Sequence, residues 1–150
     1  KQAGVKLIID TKYFGKLEID EDNIITFPKG LPAFDHIREF VLLSFPDNDI
    51  YFCLQSVKKP EIAFILISPW DFFSDYDFRI PQDDLAELGI EKQEQVQVYN
   101  IITIPHDPKD MTANLMAPIV INTFNRRGKQ IVLYESEYGT KHPLLRKEAV

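Results

Sequence analysis

The residue types that could carry out covalent or metal chemistry are few and far apart. Cys53 is the only cysteine and lies in an apolar run. The histidines are His36, His106 and His142, and no two of them have the spacing of metal ligands. A reactive thiol needs a partly exposed, electropositive setting beside a base, whereas free cysteine is among the most buried residue types. The sequence therefore predicts no catalytic residue, no metal site and no cofactor. The enzymatic alternative is a small hydrolase that pairs Cys53 with His106.

Motifs that hold phosphate or calcium are also missing from the sequence. The chain has 6 glycines in all, and none of them forms a glycine-rich phosphate loop or a nucleophile elbow. Several turns carry paired carboxylates, but none continues into the calcium-binding pattern that ends in a bidentate glutamate. Because aspartate is common in turns and at helix N-termini, these pairs are predicted to be structural.

The most unusual segment is residues 69–78, where aromatic and acidic residues are interleaved. It contains Trp70, Phe72, Phe73, Tyr76 and Phe78 together with three aspartates. Aromatic residues rimmed by acids are typical of a surface that binds a basic protein. If all the rings were exposed they would promote aggregation, so some of them must enter the core. The segment is predicted to be a protein-binding surface, with a core position as the alternative for any single ring.

The net charge of −6 is concentrated in the middle of the chain. Residues 69–110 carry 10 acidic and 3 basic side chains, whereas residues 111–150 carry 3 acidic and 6 basic ones. Because affinity for nucleic acid depends largely on neutralising phosphates, this distribution argues against a nucleic-acid-binding protein and favours a basic partner. A small β-barrel that binds RNA remains the alternative, although it would need basic residues interleaved with its aromatics.

Hydrophobic periodicity predicts a mainly β, barrel-like fold with one short helix around residues 81–89. Continuous apolar runs, such as residues 39–45, are typical of strands covered on both faces or closed into a barrel. A hairpin is predicted from residues 16–19 and 23–27, and another around the basic turn 125–129, which is expected to be solvated. Further strands are predicted at 6–9, 50–56, 62–68, 95–104, 114–124 and 129–134. The helix is predicted from Pro81, the acids after it and Gly89.

Length and composition predict a single domain over residues 1–150. A chain of 150 residues with 45% hydrophobic content can bury one substantial core. Residues 1–5 are expected to be foreign to the natural chain or disordered, and residues 144–150 are compatible with a short helix. No apolar run approaches the ~20 residues of a membrane-spanning helix, and no secretory signal is visible, so a cytoplasmic protein is expected.

Three stretches of the sequence carry a family signature and follow one another over nearly the whole chain. The first comprises residues 14–19 and 24–34, the second residues 54–56, 63–64 and 68–69, and the third residues 114–122, 128–130 and 142–144. Together they resemble the FliW family of flagellar assembly factors, with the run at 114–122 the most specific. The sequence departs from the family at Ala33, where glycine is more usual. A positive φ there would cost an alanine about 1 kcal/mol.

The resemblance implies a small barrel-like protein without catalysis that binds two protein partners. FliW proteins bind CsrA, a basic, dimeric RNA-binding repressor, and they also bind flagellin. Cytoplasmic flagellin would occupy the protein and leave CsrA free to repress flagellin translation. Export of flagellin would release the protein to sequester CsrA allosterically, away from its RNA-binding surface. A free monomer that binds neither nucleic acid nor membrane is expected.

The acidic segment is the predicted CsrA-facing surface, because negative charge would attract the basic dimer and repel incoming RNA. The strand and loop at residues 99–105 are the alternative location, and the sequence leaves open whether CsrA and flagellin share a site. The predicted partner-binding residues are Asp71, Phe72, Phe73, Asp75, Tyr76, Asp77, Asp83, Asp84 and Glu87.

Overall fold

The computed structural model describes residues 4–145, which contain eleven strands and one α-helix. The expectations for residues 1–3 and for a helix over residues 146–150 lie outside this range. The helix α1 spans Gln82–Leu88, and short 3-10 turns lie at Glu21–Asn23, Pro69–Asp71, Gln93–Gln95 and Pro108–Asp110. The strands are β1 (Lys6–Asp10), β2 (Lys16–Asp20), β3 (Ile24–Thr26), β4 (Glu39–Phe45), β5 (Asn48–Ser56), β6 (Ala63–Ile67), β7 (Val96–Thr103), β8 (Thr112–Ala113), β9 (Ile119–Asn122), β10 (Arg127–Gln130) and β11 (His142–Pro143).

Seven of these strands close into a ring in the order β7–β6–β5–β4–β3–β10–β9, and β9 returns to β7. Neighbouring strands are antiparallel except for β3 and β10, which meet in parallel at Thr26 and Arg127. The far end of β7 pairs with β8, and β8 pairs with β11. The prediction of a mainly β, barrel-like fold with one short helix is confirmed.

The ring strands are apolar on both faces because both faces are covered. In β9, Ile119 and Ile121 join the cluster inside the ring, whereas Val120 packs with Leu88 of α1 on the outside. In β6, Leu66 points into the ring and Ile67 packs beneath the segment that contains Tyr76. This double burial explains the continuous apolar runs, since a strand with one solvated face would alternate.

The predicted hairpin of β2 with β3 is wrong. β2 pairs with β1 in a separate two-stranded sheet, and β3 pairs with β4 and β10. The side chain of Asp20 accepts a hydrogen bond from the Asp22 amide and begins the 3-10 turn that separates the two strands. Ile19 then packs with Val41 outside the ring, whereas Ile25 is buried inside it. The two strands therefore serve different cores.

Other local predictions are confirmed. The second hairpin forms from β9 and β10, but β9 covers only Ile119–Asn122 of the predicted strand 114–124, and β10 begins at Arg127, inside the predicted turn, and ends at Gln130. The helix α1 follows Pro81 and ends at Gly89, whose φ of +66° is the left-handed conformation that glycine adopts readily. Ala33 has a φ of +69°, which is the conformation that strains an alanine and suits the glycine more usual in the family at this position.

None of the helices within residues 4–145 is long and apolar enough to cross a membrane.

Candidate functional site

The segment from residue 69 to residue 80 lies on the outer surface of the ring, between β6 and α1. Pro69 is buried and starts the 3-10 turn, and Trp70 next to it leaves 46% of its surface exposed. The segment packs on a cluster that includes Ile67 of β6 and Ile102 of β7. The C-terminal ends of β6 and β7 therefore position the residues that the sequence singled out.

Tyr76 anchors this segment from within, which corrects its predicted role as a contact residue. Only 4% of it is exposed, and its ring lies 4.8 Å from that of Tyr138. Its hydroxyl donates to the Leu115 carbonyl at 2.7 Å and accepts a hydrogen bond from the Asn100 side-chain amide at 3.3 Å. Burial raises the pKa of Tyr76 to about 12, so the hydroxyl keeps its proton. Because the ring is in the core, it has almost no surface to offer a partner.

Phe72 and Phe73 are half-buried rather than displayed. Both pack against the cluster that contains Tyr76, and the ring of Phe73 lies 6.2 Å from that of His142 in an edge-to-face arrangement. Their main role in the folded chain is therefore to hold the segment on the ring, and each offers only part of its surface to solvent.

The aspartates of the segment are exposed to solvent. Within residues 4–145, none of the exposed carboxylates of Asp71, Asp75, Asp77 and Asp83 lies within 4 Å of a cationic side chain. We call these four side chains the acidic face. Exposed charges of one sign that lack local partners attract the opposite charge over about one Debye length, roughly 8 Å at physiological salt.

Asp84 and Glu87 behave differently, because both are bound to Lys129 of β10. Its ammonium group contacts the Asp84 carboxylate and donates to Glu87 at 2.7 Å, and Lys29 lies 3.2 Å from the other Glu87 oxygen. The hydrogen bond from Lys129 is the main cause that lowers the pKa of Glu87. Burial alone would lower the pKa of Lys129, but the hydrogen bonds to both carboxylates outweigh it and raise that pKa. Lys129 is thus not the solvated turn residue that the sequence suggested.

The sequence reasoning missed the groove that opens beside the acidic face. It has a volume of about 680 Å³ and separates Trp70 from α1. The signal available in the sequence was that Trp70 is the only tryptophan of the chain. The apolar side chains that line the groove are Trp70, Phe78, Ile80, Leu85, Ile90, Val96 and Val98, and the polar ones are Asp77, Arg79, Gln82, Glu91, Lys92 and Gln93.

The alternative location, residues 99–105, is divided between core and surface. Tyr99 and Ile102 are buried, but Ile104 is 53% exposed and lines a second groove of about 560 Å³ with Tyr13 and Met111. This second groove lies at the end of β7 opposite to Val96. It is predominantly apolar, with Asp47 as its one charged lining residue.

The residues considered for catalysis are not arranged for it. Cys53 is fully buried in β5, and burial raises the pKa of its thiol to about 11, with Lys12 opposing the shift. A thiol with such a pKa stays protonated at neutral pH and is a poor nucleophile. His106 lies exposed on the loop after β7. In the part of the chain that the structure describes, no three histidine, cysteine or carboxylate side chains could hold a metal ion.

The sequence and fold are both similar to known proteins. A family model described as FliW protein matches residues 8–144. A flagellar assembly factor FliW from Alkaliphilus metalliredigens is 44% identical over 93% of this chain and 86% of its own. One from Bacillus velezensis is 44% identical over 91% of this chain and 95% of its own. A crystal structure of the flagellar assembly factor FliW superposes with a TM-score of 0.91 at 39% identity, covering 95% of this chain and all of that one.

These similarities extend from β1 to Leu144 and therefore include the ring, the segment with the acidic face and α1. The chain belongs to the FliW family.

Proposed function

We propose that this protein is a non-enzymatic, cytoplasmic regulator that binds the RNA-binding repressor CsrA through its acidic face and binds flagellin as an alternative partner. Binding to CsrA relieves repression of flagellin translation. Occupation by flagellin returns CsrA to its RNA target. The free protein is a monomer, and it contacts neither nucleic acid nor membrane directly.

The acidic face is the observation that carries the proposal. Asp71, Asp75, Asp77 and Asp83 are exposed, and their charge is not neutralised by ion pairs among residues 4–145. A basic dimer approaching this surface is steered toward it, and association is fastest at low ionic strength. Once bound, the same carboxylates repel incoming RNA phosphates. The protein therefore does not need to cover the RNA-binding surface of CsrA in order to keep RNA away.

The first experiment removes two charges from the acidic face in an Asp75→Asn, Asp77→Asn double variant. The matched control, Asp47→Asn with Asp49→Asn, removes two exposed charges, one in the turn between β4 and β5 and one at the start of β5. We expect the first variant to bind CsrA about threefold to tenfold more weakly at low salt, with a smaller loss at high salt. The control should bind like the wild type. Affinity and salt dependence that are unchanged in the first variant would sink the assignment of CsrA to the acidic face.

The second experiment tests the exchange of partners. Tagged protein is mixed with CsrA, with flagellin, and with both together. The complexes captured through the tag are recovered, and their molar masses are measured by light scattering. We expect two binary complexes and a decrease in bound CsrA as flagellin is added. A stable complex that contains all three proteins would contradict a simple exchange of partners.

A further inference from the structure

We propose that the open edge of β1 pairs with the same edge of a second copy of this chain, in an antiparallel arrangement centred on Ile8. The surface is the strand Lys6–Asp10, which contains none of the predicted partner-binding residues. The inference goes beyond the proposed function and does not rest on it, because the occupant is the chain itself rather than CsrA or flagellin.

The backbone of β1 is hydrogen-bonded on one side only. Within residues 4–145 its one strand partner is β2. The Glu21 amide donates to the Val5 carbonyl at 2.8 Å, and at the other end of the pair the Thr11 amide donates to a carbonyl of the turn at 2.9 Å. Because antiparallel ladders alternate, residues 5, 7, 9 and 11 direct their backbone groups toward β2. The residues that direct theirs toward the open edge are Lys6, Ile8 and Asp10.

The side chains of these same three residues share the outer face of β1. Alternate residues of a strand lie on one face, so Leu7 and Ile9 pack toward β4 while the other three face solvent. Ile8 is 73% exposed, and the side chains of Lys6 and Asp10 are each more than half exposed. The open edge therefore presents an isoleucine flanked by one positive and one negative charge.

Antiparallel pairing about a two-fold axis at Ile8 satisfies all three positions together. Ile8 then lies opposite Ile8 of the second copy, and Lys6 lies opposite Asp10 of that copy at both ends. The same register sets the open backbone groups of the two strands against each other and allows about six main-chain hydrogen bonds. Charged side chains commonly protect an edge from pairing, but opposite signs at the two ends favour this register instead.

The ion pairs already present within each copy extend across the proposed contact. The Lys6 ammonium lies 3.5 Å from the Asp20 carboxylate, and the Lys16 ammonium lies 3.0 Å from that of Asp10. In the paired sheet each end would carry a row of four charges whose signs alternate from strand to strand. Pairing therefore adds an attraction to Lys6 and Asp10 without separating them from β2.

The open edge of β2 supplies a comparison within the same hairpin. Lys16 and Asp20 stand at its ends, as Lys6 and Asp10 do in β1, but the exposed central residue is Glu18. Self-pairing of β2 would set two glutamates directly opposite each other, which is unfavourable. The central residue therefore selects β1 as the edge that pairs.

The size of the contact limits its strength. A strand of five residues is about 17 Å long, and one strand from each copy covers less than the roughly 1,200–2,000 Å² of a stable interface. We therefore expect a Kd of roughly 0.1–1 mM. The free monomer of the proposed function remains the main species in dilute solution, and the pair forms where the protein is concentrated.

Sedimentation equilibrium of the full chain measures the pairing. We expect the weight-average mass to rise from that of a monomer toward twice that value between about 10 µM and 1 mM. Ile8→Lys sets two like charges on the two-fold axis and should weaken pairing at least about tenfold. Ile104→Lys, the same change at an isoleucine that is 53% exposed outside β1, should associate like the wild type.

Two charge variants test the register. Lys6→Asp alone sets acids against each other at both ends, and Asp10→Lys alone sets lysines against each other, so each should pair at least about tenfold more weakly than the wild type. An equimolar mixture brings opposite charges together at both ends and should pair within about threefold of the wild type. Both variants keep a net negative charge, so general attraction between them would not produce this recovery.

Each charge variant also loses one exposed ion pair to β2, which contributes little to stability, and circular dichroism checks that it folds. A wild-type mass that stays monomeric over the whole concentration range would overturn the inference, as would undiminished association in Ile8→Lys. Species larger than a dimer would indicate open-ended pairing of β1 with β2 of the next copy and contradict the two-fold contact. A mixture that pairs no better than its components would contradict the register centred on Ile8.

Discussion

Ala33 is held in a backbone conformation that favours glycine. It lies in the tight turn between Leu31 and Phe34, where the Phe34 amide donates to the Leu31 carbonyl at 2.7 Å. With a φ of +69° its Cβ crowds the backbone, whereas a glycine would not be strained. The surrounding turn and the burial of Leu31 inside the ring therefore stabilise a conformation that the residue itself disfavours.

We predict that Ala33→Gly raises the free energy of unfolding by about 0.5–1 kcal/mol, because the relief of strain exceeds the added entropy of the unfolded chain. Ala86→Gly in the middle of α1 is the control. It should lower the free energy of unfolding by about 0.5–1 kcal/mol, because Ala86 has no backbone strain to relieve and glycine is less favourable than alanine inside a helix. Urea unfolding of both variants measures the difference. Destabilisation by Ala33→Gly would show that the turn is not strained at this position.

Tyr76→Phe separates a core role from a contact role. We predict a loss of about 1–2 kcal/mol in the free energy of unfolding, because the buried Leu115 carbonyl loses the Tyr76 hydroxyl as its donor and the Asn100 amide loses one of its two acceptors, keeping only the Asn114 carbonyl. Affinity for CsrA should not change, since the hydroxyl is inside. Tyr134→Phe, at a tyrosine that is 81% exposed, should change neither quantity. Binding that weakens in Tyr76→Phe while stability is retained would return Tyr76 to the contact surface.

The sequence could identify the aromatic segment but could not divide its rings between core and surface. Tyr76 and Trp70 have similar neighbours in the chain, yet one is buried and the other half exposed. The difference depends on Asn100 and Leu115, which are distant in sequence. Likewise, the basic turn looked solvated because Asp84 and Glu87, the carboxylates that bind Lys129, lie more than 40 residues away.

At the level of elements, α1 is fixed to the β9–β10 hairpin through both its backbone and its acidic side chains. Its C-terminal carbonyls accept hydrogen bonds from two asparagine side chains, Asn122 and Asn125, both of which reach Leu88 at 2.9 Å. Lys129 holds two side chains of the helix, Asp84 in its first turn and Glu87 near its C-terminus. A helix of seven residues is too short to be stable alone, so these contacts and Leu88 keep it folded.

Lys129→Met tests the ionic part of this attachment. We predict a loss of about 1–2 kcal/mol at neutral pH, because the paired side chains are each about a quarter exposed or less. Since the pKa of Glu87 is lowered by folding, its contribution is present above the unfolded value near 4.5 and is lost as pH falls through the folded value. Since the pKa of Lys129 is raised, its contribution is present below 10.5 and is lost as pH rises through the folded value.

The difference between wild type and Lys129→Met should therefore be largest between roughly pH 5 and pH 10 and should shrink toward both extremes. Lys58→Met is the control, because the Lys58–Glu39 pair is more exposed and should contribute little at any pH. Unfolding by urea at a series of pH values measures both differences. A difference that does not depend on pH would attribute the loss to packing rather than charge.

The elements themselves were predictable where local pattern decides them. The apolar runs located β4 to β6, and Pro81 with Gly89 located α1, because strand and helix signals are local. The pairing of β2 was not predictable in the same way. Both possible partners, β1 and β3, are apolar and adjacent in sequence, and only the separate core formed by Ile9, Ile19 and Val41 decides between them.

At the level of the whole molecule, the ring supports its surface segments from inside and outside at once. β6 buries Leu66 within the ring and carries Ile67 on its outer face, and β7 likewise buries Tyr99 within the ring and carries Val98 outside. The segment of the acidic face and α1 rest on Ile67 and Val98. Charge and fold thus coincide: in the most acidic part of the sequence, residues 69–110, the segment 69–80 and α1 pack on the outside of the ring. An acidic tail that did not pack on the ring would lack these buried contacts.

We therefore predict that the acidic segment and the ring unfold in one transition. Trp70 reports the segment, and the far-ultraviolet circular dichroism of the strands reports the ring. Because the segment shares buried contacts with β6 and β7, both signals should give the same urea midpoint and the same slope, as expected for two-state unfolding. In Tyr76→Phe, which loosens the segment without altering a ring strand, the midpoints should shift together. A Trp70 transition at lower urea than the circular dichroism would mean that the segment opens separately, and the groove beside it would then form only part of the time.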